Sequence, residues 1–378
     1  MSTYQYYEFQ AIDRPLDAEK MSVLRAISTR AVITATSFTN TYHWGDLKAD
    51  PEKLLAEYFD AFLYVANWGS HWLSFRVPAD AVDISAISAY ETEESFVIIR
   101  KGAHVVLRFC SDTESEDWEE GDVFLASLIS LRADILRGDY RALYIAWLYD
   151  AQCGLVYDEE VPPPAPLGMA ELSAPLRSLV DFLRVDDDLI IAAGESSAPL
   201  PKQTPESQQD WRAWIQSLDE ADKDELLYRV ASGDAVVQWE LQKRFRQHAD
   251  RAQGCSPTGF GPRRPVSDLL AARDERVERR RQQQAKADER MKRQQQAARR
   301  AYLEGLTGRE DSFRDKISTL IATVQQSSYD NAVRFLVDLR DAAALRGDAE
   351  AFGEYLSGLR NKHARKPSLI RRLDKAGL

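Results

Sequence analysis

From Val266 to Glu304 the chain contains neither Gly nor Pro and is dense in Arg, Lys, Gln and Ala. A stretch without breakers and rich in strong helix formers reads as one long helix. Pro262 and Pro265 sit where a helix begins, Ser267 and Asp268 offer side-chain oxygens to its first turn, and Val266, Leu269 and Leu270 give it an apolar foothold. At about 1.5 Å per residue it spans roughly 60 Å. Arg273 to Arg300 holds eleven Lys/Arg and five Asp/Glu, a net of +6. Its apolar residues, Val277, Met291 and a few Ala, are too sparse for a coiled-coil seam. A helix polar all round holds as a bridge or through i,i+4 pairs, and Glu275/Arg279, Asp288/Lys292 and Glu289/Arg293 supply such pairs. Three readings follow: a spacer that is solvated or rests on its own acidic domain, a phosphate-binding arm, or a coiled coil completed by a partner.

The charge around this helix is divided. Residues 1–160 carry 27 Asp/Glu and 13 Lys/Arg, residues 161–257 carry 16 and 10, and residues 258–378 carry 17 and 26. The net of −11 argues against general nucleic-acid affinity, but a chain acidic at one end and basic at the other can neutralise itself, oligomerise, or present its tail to a polyanion. Cys110, Cys153 and Cys255 are scattered and odd in number, as expected of reduced thiols in a cytosol. Met1 to Asp13 has no apolar signal region, and the longest apolar run, Val123 to Leu131, is too short to cross a membrane. A cytoplasmic protein with no membrane contact is expected.

Alternation marks strands at Tyr4–Ile12, Ala31–Trp44, Asp60–Asn67 and His71–Val77, and a hairpin at Ser95–Arg100 and His104–Ser111 around Lys101-Gly102. Both alternating sets of Ala61–Trp68 are apolar, which places that strand centrally. Helical spacing appears at Asp17–Ser28, Asp50–Phe59, Val123–Leu136 and Tyr140–Asp150. The fold class expected is α+β, with a mainly antiparallel sheet and packed helices, followed by an all-helical half. Five regions are expected: an acidic α+β domain (1–160), a Pro-rich linker with short helices (161–210), a helical segment (211–261), the long basic helix (262–306) and a helical-repeat-like tail (307–378). In the segment, Trp211, Trp214, Ile215 and Leu218 mark a buried helix face. In the tail, Tyr329, Ala332, Val333, Leu336 and Leu339 form one face, Phe352, Tyr355, Leu356 and Leu359 a second, and Leu369, Ile370 and Leu373 a third, with breaks at Gly347-Asp348 and Lys366-Pro367. This pattern is one tetratricopeptide-like unit, which needs a further surface to complete its core.

No motif declares a reaction, and no cofactor or metal is expected. His43 and Asp46 close one predicted strand and His71 opens another, so the three are candidate catalytic residues if they converge, and otherwise ordinary core or rim residues. The loop Asp112, Glu114, Glu116, Asp117, Glu119, Glu120, Asp122 lacks EF-hand spacing and reads as a solvated loop or an electrostatic contact with a basic surface. Gly259-Phe260-Gly261-Pro262-Arg263-Arg264 has neither the preceding strand nor the Lys of a phosphate loop and reads as a hinge. The basic cluster alone has a physical case for a ligand: Arg279, Arg280, Arg281, Lys292, Arg293, Arg299 and Arg300 on the long helix, and Arg365, Lys366, Arg371 and Arg372 in the tail. Such cations grip phosphate backbones with steep salt dependence, but without interleaved aromatic residues they have little sequence preference.

Tyr6-Tyr7-Glu8-Phe9-Gln10-Ala11-Ile12-Asp13-Arg14-Pro15-Leu16, Tyr42-His43-Trp44-Gly45-Asp46 and His363-Ala364-Arg365-Lys366-Pro367-Ser368-Leu369 give the chain a resemblance, over nearly its whole length, to an uncharacterised family of bacterial cytoplasmic proteins. The resemblance implies a bacterial cytoplasmic protein and transfers no catalytic residue. Tyr329 to Leu378 is also similar to the helical tail of SWIM-type zinc-finger proteins, although the zinc ligands are missing here; that similarity implies such a protein as partner. The expectation is a non-enzymatic interaction component of a multiprotein assembly, with a nucleic-acid-associated accessory factor as the alternative.

Overall fold

The computed structural model describes residues 4–113, 121–157, 159, 162–195, 197–200, 208–234, 236–252 and 265–378. Most of the acidic loop (114–120), part of the Pro/Ser stretch after Glu195, Cys255 and the Gly259–Arg264 hinge lie outside these residues. The chain is α+β and forms two compact units, Met1–Glu278 and Arg279–Leu378. No helix among the described residues is long and apolar enough to cross a membrane.

In the first unit β1 (Gln5–Gln10), β2 (Val32–Ile33), β3 (Ser37–Tyr42), β4 (Ala61–Ala66), β5 (Ser70–Pro78), β6 (Phe96–Lys101) and β7 (His104–Asp112) form one sheet in the order β2-β3-β1-β4-β5-β7-β6. Every pairing is antiparallel. The apolar strand β4 lies in the middle and is buried at all six positions, because side chains on both faces have a core to enter. Tyr6, Leu63, Val65, Leu73, Phe75 and Phe109 point into the larger core, and Tyr7, Phe9, Phe38, Phe62 and Tyr64 into a smaller, aromatic one. The edge strand β6 is guarded: Thr92 Oγ1 accepts from Phe96 N, Glu91 Oε1 accepts from Ile98 N, and Thr92 N donates to Phe96 O.

Helices cover both faces. α1 (Ala18–Ile27) and α2 (Pro51–Tyr58), N-capped by Asp17 and Asp50, close the aromatic core through Leu24, Leu54 and Leu55. The other face is covered by α3 (Ile84–Ile87), α4 (Phe124–Leu128), α5 (Ser130–Leu136), α6 (Arg141–Gln152), α7 (Ala174–Leu183) and α8 (Asp187–Glu195). The helix expected over Val123–Leu136 divides at Ile129, a slight break since Ile129 keeps helical dihedrals (φ −60°, ψ −30°). After α9 (Gln208–Ser217), α10 (Glu220–Ala231) and α11 (Val237–Ala252), Trp211 stacks on Phe245 at 4.0 Å and Trp214 meets the same ring edge-on. Ile215, expected on that buried face, is exposed, because Phe245 covers only the side carrying the two Trp.

α12 (Val266–Glu304) is one unbroken helix, with Val266 and Leu269 buried in the first unit's core. Every residue from 279 to 302 is exposed. In the second unit α13 (Glu310–Ala322), α14 (Gln326–Arg346), α15 (Ala349–Lys362) and α16 (Pro367–Lys375) enclose a core of their own. The surface that the repeat-like unit needed comes from α13, whose Ile317 and Ile321 pack with Tyr329, Leu336, Leu369 and Leu373. Gly347, left-handed at φ 83°, ends α14 where the sequence predicts a break.

Candidate functional site

The strand register decides the fate of the candidate catalytic residues. β4 sets Val65 opposite Tyr6 and His71, and β7 sets Ser111 opposite His71, so these side chains point to one face of the sheet. There His71 is fully buried, stacked on Phe182 at 4.9 Å. Its Nδ1 lies 2.7 Å from the Phe182 carbonyl oxygen and its Nε2 3.3 Å from Arg184 Nη2. A carbonyl only accepts and a guanidinium only donates, so the ring is held neutral with the proton on Nδ1. Arg184, left-handed at φ 59° as the C-cap of α7, also donates to the carbonyls of Thr113 (2.8 Å) and Gly69 (3.3 Å). Gly69 cannot be replaced cheaply, since a Cβ there would lie 1.8 Å from Thr113 O. This constellation ties the β4–β5 turn to the end of α7.

Asp46 belongs to the opposite face. Its Oδ1 lies 2.5 Å from the Tyr7 hydroxyl and accepts the Leu47 N–H at 2.7 Å. The Tyr64 hydroxyl donates to Gln5 Oε1 at 3.0 Å, and Gln5 Nε2 donates to Gly45 O. Burial, and then the bond to Asp46, raise the Tyr7 pKa, and burial with the Asp46 charge pushes Tyr64 up to about 12. These phenols are proton-retaining donors. His43 is exposed, its ring 6.0 Å from Tyr4 and 6.2 Å from Trp44. His43, Asp46 and His71 therefore do not converge, because the period of two along the strands sends the imidazole of His71 and the hydroxyl that holds Asp46 into different cores.

A charged constellation that sequence reading missed lies at the other end of the strands. Arg132 donates to both carboxylate oxygens of Asp13 (3.0 and 2.6 Å) and to Arg76 O (2.9 Å). Arg76 in turn donates to Asp60 Oδ1 at 2.6 Å, while Asp60 Oδ2 accepts the N–H groups of Ile12 and Asp13. Burial opposes the charge of Asp60, but Arg76 and these amides hold its pKa below the usual carboxylate value. Burial, together with Arg76, lowers the pKa of nearby His104. With each carboxylate matched by a guanidinium, the cluster joins β1, β5 and α5. Nothing local in the sequence marks it, because Arg132 lies 119 residues from its partner.

The basic candidates separate by what they already hold. Arg299 donates to Asp338 and Asp341, Arg293 to Glu289, Arg300 to Glu304, and Arg372 to Asp330. Lys366 donates to Ile321 O in the last turn of α13 and lies over the Tyr329 ring, so it serves as a helix cap. Arg279 and Arg280 also have partners. Arg281, Lys292, Arg365 and Arg371 are exposed and have no ion pair or hydrogen bond among the described residues. Burial pushes the Cys110 thiol up to about 12 and raises that of exposed Cys153, so neither is an activated thiolate. Among the described residues no group of three or more His, Cys, Asp or Glu is placed to hold a metal ion. The chain matches no protein-family model, no curated protein and no solved structure.

Proposed function

We propose that the protein is a non-enzymatic interaction component of a bacterial cytoplasmic multiprotein assembly. The observation that carries this reading is the exposure of α12 on all sides from residue 279 to 294, before its last turns meet α14. A helix surrounded by water gains nothing from a buried face and stands on local propensity and i,i+4 pairs, which leaves its side chains available to a partner. The second unit, with its own core, can contact a partner without refolding. Similarity of its tail to that of SWIM-type zinc-finger proteins makes one of these a partner to look for. Co-purification of the tagged full-length chain from its native cells tests the reading. The expected result is a reproducible set of proteins, depleted when Arg281 and Lys292 are changed to Glu; recovery of nothing above an untagged control at low salt would refute it.

A second reading, binding to nucleic-acid backbones, is favoured by the four unpaired cations and by the 22 Lys/Arg against 13 Asp/Glu among residues 279–378, a net of +9. A salt titration with generic duplex and single-stranded nucleic acid decides it. Under this reading, changing Arg281 and Arg365 to Gln lowers the slope of log affinity against log salt by roughly one for each phosphate released. Absence of binding at low salt removes the reading.

A further inference from the structure

We infer that two unlike surfaces of this chain fit one another between copies: α10 of one molecule lies in the groove between α12 and α14 of the next. The inference rests on the reading of the protein as an assembly component and supplies its partner, a second copy.

The groove lies within the second unit. Arg299 binds Asp338 and Asp341, and the Tyr302 hydroxyl binds Asp338, which clamps the last turns of α12 against α14. Beside this clamp Gln296, Arg299, Arg300, Leu303, Ala344 and Leu345 line an open trough. Leu303 is buried at its base, and Leu345 is 50% exposed at its lip. Arg300, its side chain 72% exposed, holds only Glu304, one turn away in its own helix. The trough is thus apolar along one side, and along the other Arg300 stands exposed beside the ion pair of Arg299 with Asp341.

α10 has the complementary character. Leu226 turns inward, and the next apolar residues face water: Leu227 is 67% exposed, Tyr228 69% and Val230 55%. The turns before them carry Glu220, Asp222, Asp224 and Glu225. Glu220, Asp224 and Leu227 recur at i, i+4 and i+7, so one stripe runs from carboxylates to apolar side chains. Laid in the trough, that stripe brings Leu227, Tyr228 and Val230 to Leu303, Ala344 and Leu345, and its carboxylates to Arg300. Charge favours the encounter. The chain as a whole has 49 Lys/Arg and 60 Asp/Glu, so the +9 of residues 279–378 leaves −20 on residues 1–278. Each apolar patch is left open by its own unit and would be closed by the other kind. Because the two surfaces differ, the contact is heterologous, and copies join head to tail.

Sedimentation velocity of the full-length chain from about 1 to about 200 µM tests this. The mass should rise with concentration, and raising the salt to about 0.5 M should shift half-association upward about tenfold as the charges are screened. Leu227→Asp and Leu345→Asp, both at exposed positions, should each shift it at least tenfold while leaving thermal unfolding near that of the parent. Mixed together, the two variants should form 1:1 dimers that grow no further, because one retains only the trough and the other only the helix. A monomer across the range overturns the inference, as does association that neither substitution weakens, or a variant mixture that stays monomeric. A monomeric chain that still brings other proteins out of native cells would sink self-association and leave the assembly reading standing.

Discussion

Among the described residues the first unit buries two arginines, Arg132 and Arg141, and the second buries none. Arg132 has 4% of its side chain exposed and grips Asp13 with both arms of its fork, whereas Arg293 has 76% exposed and meets Glu289 one turn away. The chemical pair is the same and its worth is not. Inside the first unit, removing one partner strands a charge or a polar group without water, at a cost of several kcal/mol. On α12 water takes the place of a missing partner, and the pair contributes a few tenths. The first unit therefore uses charge to join strands to helices far apart in sequence. The second closes its core with apolar side chains, joins its helices through exposed pairs such as Arg299–Asp338 and Arg372–Asp330, and leaves Arg281, Lys292, Arg365 and Arg371 unpaired among the described residues.

The largest break in this contrast should come from Arg132→Met. It leaves Asp13 without its cation and removes a donor from the Arg76 carbonyl, and it should lower stability by roughly 3 to 5 kcal/mol in urea unfolding. A change below about 1 kcal/mol would show that this buried cluster is no different from a surface pair. A smaller effect is expected from acid. The pKa of Asp60 is depressed in the folded protein, so its stabilisation is complete above the carboxylate's unfolded value, ~3.9, and disappears as pH falls through the folded value. Unfolding free energy followed from pH 5 to pH 2 should fall less steeply in Asp60→Asn than in the parent; equal slopes would remove the carboxylate from the account. The smallest change is expected from Arg293→Gln, below about 0.5 kcal/mol in the thermal unfolding of the full chain. A larger effect would mean that the exposed helix depends on its charge pairs more than isolated helices do.

Much of the fold could be read from neighbours in sequence. Asp17 and Asp50 stand as N-caps where the helical spacing begins, the doubly apolar β4 lies at the centre of the sheet, and the faces built around Leu336 and Leu369 are buried. The helices of residues 310–322 and 84–87 carry no clear signal, the first because its apolar residues are diluted by charge and the second because four residues have no period. Of the candidate sites, the basic residues were legible as a group, but their division into committed and free cations was not. Lys366 looks no different from Arg365 in sequence, and only the packing of α13 against α14 brings a carbonyl and a ring to it.

By itself the sequence determined what depends on residues within a few positions of each other: the unbroken helix from Val266 to Glu304, the strand and helix alternation before it, and the opposite charge of the two ends. Tertiary structure alone decided that β1 lies between β3 and β4, that Arg132 meets Asp13, and that His71 and Asp46 belong to different cores. The reason is physical. Periodicity and propensity act through the local backbone, whereas strand register and buried charge pairs join residues whose separation along the chain carries no local trace of their meeting.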